Sequence, residues 1–215
     1  MKKIFLSSFL AVIVMAASAQ EFRINAYASY VFDDGFGFYN NKDDYYNGQI
    51  NGGAQLGVGV EYLAQPHYGV ELLYFYKNSD APSNFKFGTL TAEKSETFDV
   101  TQHYILLAGN SHLKSSNQKL EGYGGFLVGM VISDVTAPSS GSHASNSNFS
   151  WGFRLGGDIW MSPKVGIKLQ AQILSATRAT GGDLYYGYWG PYSVPDYSTL
   201  WQFGLGGGLT FRLGK

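Results

Sequence analysis

Phe149-Ser150-Trp151-Gly152-Phe153-Arg154-Leu155-Gly156-Gly157-Asp158-Ile159-Trp160-Met161 decides the fold. Side chains of an extended strand point alternately to opposite faces. Phe149, Trp151, Phe153, Leu155, Ile159 and Met161 therefore share one face, and Ser150, Gly152, Arg154, Gly156 and Asp158 share the other. One face is large and apolar, the other small, polar and charged. A helix would scatter both sets around its circumference.

Working outward, the same alternation returns along the chain. Phe22, Ile24, Ala26, Ala28, Tyr30 and Phe32 oppose Arg23, Asn25, Tyr27 and Ser29. Leu56, Val58, Val60 and Tyr62 oppose Gln55, Gly57, Gly59 and Glu61, and Tyr68, Val70, Leu72, Tyr74 and Tyr76 oppose Gly69, Glu71, Leu73, Phe75 and Lys77. Phe126, Val128, Met130 and Ile132 oppose Glu121, Tyr123, Gly125 and Gly129. Val165, Ile167, Leu169, Ala171 and Ile173 oppose Gly166, Lys168, Gln170 and Gln172. The last segment sets Trp201, Phe203, Leu205, Leu209, Phe211 and Leu213 against Gln202, Gly204, Gly206, Gly208, Thr210 and Arg212. Phe98 to Gly109 alternates poorly. Its reading puts Phe98, Val100, Tyr104, Leu106 and Ala108 on the greasy side, although Gln102 falls among them and Ile105 and Leu107 make the other side apolar too.

These eight segments are each near the ~9–11 residues that a tilted strand needs to cross a hydrocarbon layer. The connections alternate long and short, at 33–51, 65–67, 78–97, 110–118, 133–148, 162–164 and 178–198. Pro66 and Pro163 fall in short ones, where a missing N–H does no harm. Ser139 to Asn148, rich in Ser and Asn, reads as a mobile loop tip. The pattern predicts an all-β fold: an eight-stranded antiparallel up-and-down transmembrane β-barrel.

The chain's first residues fit export. Lys2 and Lys3 precede an apolar run from Ile4 to Met15, and Ala17-Ser18-Ala19 suits cleavage. Residues 1–19 read as a signal peptide and 20–215 as the barrel domain. No cysteine is present, and a net charge of −1 offers no basic surface for nucleic acid. Gly accounts for 28 of 215 residues against a usual ~7 per cent, and aromatics for 16 per cent.

A soluble lipocalin-like barrel would turn the apolar face inward and coat its exterior with charge. Here the polar face carries too few long side chains for that, and its glycines suit a narrow interior shared with bulkier neighbours. The greasy face carries aromatics near strand ends, as an interfacial girdle should. Arg23, Lys77, Arg154, Lys168 and Arg212 then face inward with Glu61, Glu71, Asp99, Glu121 and Asp158. Buried charges must pair, so a plugged lumen is expected, with His103 as one of its members. No cofactor, metal site or catalytic residue is expected.

In these alternating segments, the four long loops and the closing strand Leu200 to Leu213, with Phe211 near its end, the sequence resembles the small OmpA/OmpX-like eight-stranded outer-membrane barrels. The resemblance implies a Gram-negative outer membrane, periplasmic termini, contact with lipid and lipopolysaccharide, and delivery by the barrel-assembly machinery. It fixes no role. Such barrels include lipid A-modifying enzymes, and His143-Ala144-Ser145-Asn146 resembles the His-x-Ser-Asn spacing of the deacylases. The acid expected about a dozen residues on is missing: Gly156 and Gly157 stand there, and Asp158 has the wrong parity. A conduit for hydrophobic small molecules is a further alternative. Asp33, Asp34, Asp43 and Asp44 with Asn40, Asn41 and Asn47 read as a solvated acidic loop without calcium-loop spacing. Tyr185, Tyr186, Tyr188, Trp189 and Tyr192 lie in a Gly-Tyr-Trp loop with the composition of a binding surface for a glycan or host ligand.

Overall fold

The computed structural model describes residues 21–42, 44–87, 92–116, 119–180 and 196–213. The leader at 1–19 and the loop aromatics Tyr185, Tyr186, Tyr188, Trp189 and Tyr192 lie outside them. The elements are β1 (Glu21–Val31), β2 (Asp34–Asn41), β3 (Asp44–Ile50), β4 (Gly53–Gln65), β5 (Tyr68–Phe87), β6 (Lys94–Lys114), β7 (Leu120–Ala137), β8 (Ser142–Trp160), β9 (Val165–Thr180) and β10 (Asp196–Leu213). Eight of them, all but β2 and β3, pair antiparallel in chain order. β1 closes the ring on β10, from Phe22 opposite Leu213 to Val31 opposite Gly204. Closure leaves no free edge in the ring, so every strand finds partners on both sides. β2 and β3 form a hairpin beyond it, with β3 pairing to the far end of β5.

Adjacent residues report the two faces directly. Arg154 is 2% exposed and Leu155 68%. Ile24, Leu56, Leu72, Leu107, Phe126, Phe153, Leu169 and Leu205 stand outward on the eight successive strands of the ring, giving a continuous apolar belt. A water-soluble monomer rarely exposes more than a few hundred Å² of contiguous apolar surface. The belt's upper rim is aromatic: Tyr30, Phe32 and Phe203 pack in series, and Trp151 meets Trp201 edge-on at 5.3 Å.

Two expectations are corrected. The facing assigned to β6 is reversed: Phe98, Val100, Gln102, Tyr104, Leu106 and Ala108 are buried, while Ile105 and Leu107 are exposed. The reason is polar, because Gln102, Asn110 and His112 share that parity and lipid offers them no hydrogen-bond partners. Asp99 and His103 consequently stand outside the barrel rather than within it. The second correction concerns the long connections at 33–51, 78–97 and 133–148, whose described residues are mostly strand. β5 and β6 stay paired as far as Phe85 opposite Lys94, and β7 and β8 as far as Ala137 opposite Ser142. The proposed mobile tip at 139–148 is a tight turn followed by β8. Ser140 and Gly141 N–H groups donate to Ala137 O, and Gly141 takes the left-handed conformation (φ 68°) that its missing Cβ permits.

The inner face mixes glycine with bulk. A Cβ on Gly57 would strike the Phe75 ring, and one on Gly156 would come within 2.6 Å of the Tyr123 ring. Glycine-bearing strands thus make room for an apolar middle layer of Tyr27, Leu73, Phe75, Tyr104, Leu106, Leu127 and Leu174.

Candidate functional site

The strand register sets up an electrostatic problem at the end of the barrel nearest the short turns. Glu61 stands directly opposite Glu71, and Glu121 directly opposite Asp158. Like charges facing across a ladder repel, and all four are at most 2% exposed. Cations reaching across the lumen resolve it. Arg23 Nη1 donates to Glu121 Oε1 at 2.7 Å and lies 3.7 Å from Asp158 Oδ2, while its Nε donates to Glu21 at 2.7 Å. Lys168 Nζ sits 2.9 Å from Asp158 Oδ1 and 4.0 Å from the centre of the Tyr123 ring. Arg154 is paired with Glu71, and its Nη2 donates to Asn110 Oδ1 at 2.9 Å. Glu71 also accepts from Asn25 Nδ2 and Tyr27 OH, each at 2.7 Å. Arg212 stacks 3.5 Å over Trp160 and donates to Glu121 Oε2 at 3.3 Å.

His112 joins the two acid pairs. Its Nε2 donates to Glu61 Oε1 at 2.8 Å, and its Nδ1 approaches Glu121 Oε1 at 2.7 Å, off the hydrogen-bond direction. A carboxylate thus stands against each nitrogen of the fully buried ring. Arg23, His112, Arg154, Lys168 and Arg212 thus meet Glu21, Glu61, Glu71, Glu121 and Asp158 in one layer.

The expected inward set is thus brought together except at two positions. Lys77 is buried but apart from this layer, donating to the Asn51 carbonyl at 3.1 Å. Asp99 is outside. Asn110 and His112 lie beyond the apolar stretch that ends at Gly109, and with Gln102 they mark the inward parity of β6. On the other side of the apolar layer, amides cross the lumen. Tyr104 OH donates to Gln202 Oε1 at 2.8 Å, Gln202 to Gln102 at 3.0 Å, and Gln172 to Gln55 at 2.6 Å.

His103, expected inside, bonds Tyr74 OH at 2.8 Å on the outer wall, with Asp134 at 3.9 Å. His143 and Ser145 lie on that wall too. Asp134 supplies the acid that the sequence did not reveal, 4.0 Å from His143 Nε2 and opposite Ser145. The constellation is not a relay. His143 Nδ1 faces the Thr136 hydroxyl at 3.4 Å and Nε2 faces Asp134, so neither nitrogen serves Ser145. Ser145→Ala is expected to leave lipid A acylation unchanged, read by mass spectrometry of lipid A from expressing cells; altered acyl number would contradict this.

Asp33 and Asp34 serve structure. Asp33 accepts from Gly52 N at 2.6 Å and Gln49 Nε2 at 2.8 Å, and Asp34 from Trp201 N at 2.9 Å. Burial raises the Asp34 carboxyl above its ordinary pKa against the pull of that N–H. Among the described residues no His, Cys, Asp or Glu cluster could hold a metal ion. Asp43 lies outside the described residues, as do the side chains of Asn40, Asn41 and Asp44.

No family model matches the chain, and no curated protein matches it in sequence. Solved structures do match it in shape. The outer membrane protein OprG from Pseudomonas aeruginosa aligns with a TM-score of 0.61 at 14% identity, over 92% of this chain and 98% of its own. Neisserial surface protein A aligns at 0.57 and 11% identity, over 89% and 97%. The fold is that of the small outer-membrane β-barrels. The outer membrane protein AlkL, solved in DMPC lipid bilayers, aligns at 0.50 and 13% identity, over 92% of both chains. Identities this low speak for the barrel architecture alone. The layered interior rests on this chain's own side chains.

Proposed function

We propose that this chain is an integral outer-membrane protein whose barrel is a closed anchor. It acts without catalysis, as a structural element or by recognising a partner through what it displays outside the cell. In this reading the short turns and both termini face the periplasm, and the hairpins β2–β3, β5–β6, β7–β8 and β9–β10 stand above the lipid. Lipid and lipopolysaccharide surround the belt, and the barrel-assembly machinery inserts it.

One observation carries the closed-anchor reading. The charged layer, the apolar layer and the amide layer lie in series, and Arg23, Phe75, Leu106, Leu127, Gln55 and Gln102 are each at most 1% exposed. An aqueous passage would leave such groups wet. Purified protein in planar lipid bilayers is expected to show no steady, large single-channel conductance. A stable open level of porin size would overturn the proposal.

A further inference from the structure

The short-turn end of the barrel carries lysines where the apolar belt stops. Lys119 immediately precedes β7 and Lys164 immediately precedes β9, with the end of β8 between them. Backbone bonds hold this arrangement: Trp160 N donates to Lys119 O at 2.8 Å, and Met161 N donates to Val165 O at 3.0 Å. Strands lie ~4.8 Å apart, which sets the two lysine backbones about 10 Å from each other across β8. Both residues are exposed. The wall beside them is greasy, with Leu120, Ile159 and Met161 exposed at the margin of the belt.

Charge differs between the two ends of the wall. The acid at the short-turn mouth is Glu21, on which Arg23, Arg212 and Lys114 already converge at 2.7, 2.7 and 3.9 Å. Beyond the upper rim the outer wall is acidic instead. Asp80 faces Asp99 across the β5–β6 ladder, and Asp134 follows on β7. Lys42, Lys86 and Lys94 lie farther out, at the hairpin tips. An anionic headgroup is therefore attracted at the lower margin of the belt and repelled at the upper one. Lysine suits the lower position, since its stem lies along apolar wall while the ammonium reaches the interface. Two flexible four-carbon stems can close on one phosphate between them.

We propose that Lys119 and Lys164 bind the phosphate of an anionic phospholipid whose acyl chains lie on Leu120, Ile159 and Met161. This site deepens the outer-membrane reading and rests on the belt facing lipid. The full chain carrying Ile159→Cys, or Phe149→Cys at the opposite rim, is labelled with bimane and refolded into phosphatidylcholine vesicles. A minor share of lipid brominated on its acyl chains is then supplied as phosphatidylglycerol or as phosphatidylcholine. At Ile159→Cys the brominated phosphatidylglycerol is expected to bind about three- to fivefold more tightly, the scale of one lysine at an anionic surface. At Phe149→Cys, phosphatidylglycerol should quench no better than phosphatidylcholine. Lys119→Gln with Lys164→Gln should remove the preference at position 159, whereas Lys119→Arg with Lys164→Arg should keep it. No preference at position 159, an equal preference at both labels, or a preference that survives the glutamine pair would overturn the proposal. In each of those cases, quenching by phosphatidylcholine at both labels would leave the lipid-facing belt standing. Quenching by neither lipid would sink the belt and the site together.

Discussion

Arg154→Met is expected to destabilise the barrel by about 3–5 kcal/mol, the usual consequence of stranding a buried charge. Arg154 is the counter-ion of Glu71 and donates to Asn110 and, at 3.3 Å, to Tyr27 OH. Without it, Glu71 keeps Asn25 and Tyr27 as donors but stands directly opposite Glu61 with no cation of its own. Methionine fills much of the volume, so the loss reports charge more than a cavity. Glu71→Gln in the same chain keeps an oxygen to accept from Asn25 and Tyr27 and removes the stranded charge. The double variant should therefore recover more than about 1 kcal/mol relative to Arg154→Met alone, a coupling of the size expected for groups in contact. Urea unfolding in lipid vesicles reads both numbers. A single variant within about 0.5 kcal/mol of the parent would mean that the layer is hydrated and the lumen open.

Where lipid lies outside and a packed lumen inside, the sequence spoke clearly. Leu155 beside Arg154, and Leu205 between Gly204 and Gly206, leave no doubt about which side chain meets acyl tails. The contrast vanishes in two kinds of place. Above the belt both faces meet water or polar neighbours, so His143, Ser145 and Ser147 alternate with Ala144 and Asn146 without a period to read, and a paired strand resembles a loop. In β6 both faces are apolar because that strand supplies Tyr104, Leu106 and Ala108 to the middle layer. The charged site was half visible for a related reason. Charges declare themselves in a sequence, but pairing across a lumen joins residues nearly a hundred positions apart, such as Arg23 and Glu121. That His112 bridges two acid pairs emerges only from the register.

β6 is therefore where the structure and the pattern make opposite commitments, and the chain offers a clean way to choose. It holds no cysteine, so one introduced thiol gives one label. Leu107 pairs with Leu72 on β5 and Val128 on β7, in the middle of the belt, and is 49% exposed; Leu106 is 0% exposed. A bimane on Leu107→Cys should be quenched strongly by lipids brominated near the acyl midpoint, and one on Ile105→Cys likewise. A label on Leu106→Cys should lower folding yield or, where folding succeeds, escape quenching. Charge makes the same point energetically. Leu107→Arg places a guanidinium against the hydrocarbon midplane and should cost about 2–4 kcal/mol. Leu106→Asn should cost on the order of 1–3 kcal/mol for a different reason, an amide without a partner among Phe75, Leu127 and their neighbours. If instead position 106 were quenched and 107 silent, β6 would have the facing that its apolar residues suggested. Asn110 and His112 would then point into lipid, Glu61 and Glu121 would lose the imidazole between them, and the paired interior would fail with the register.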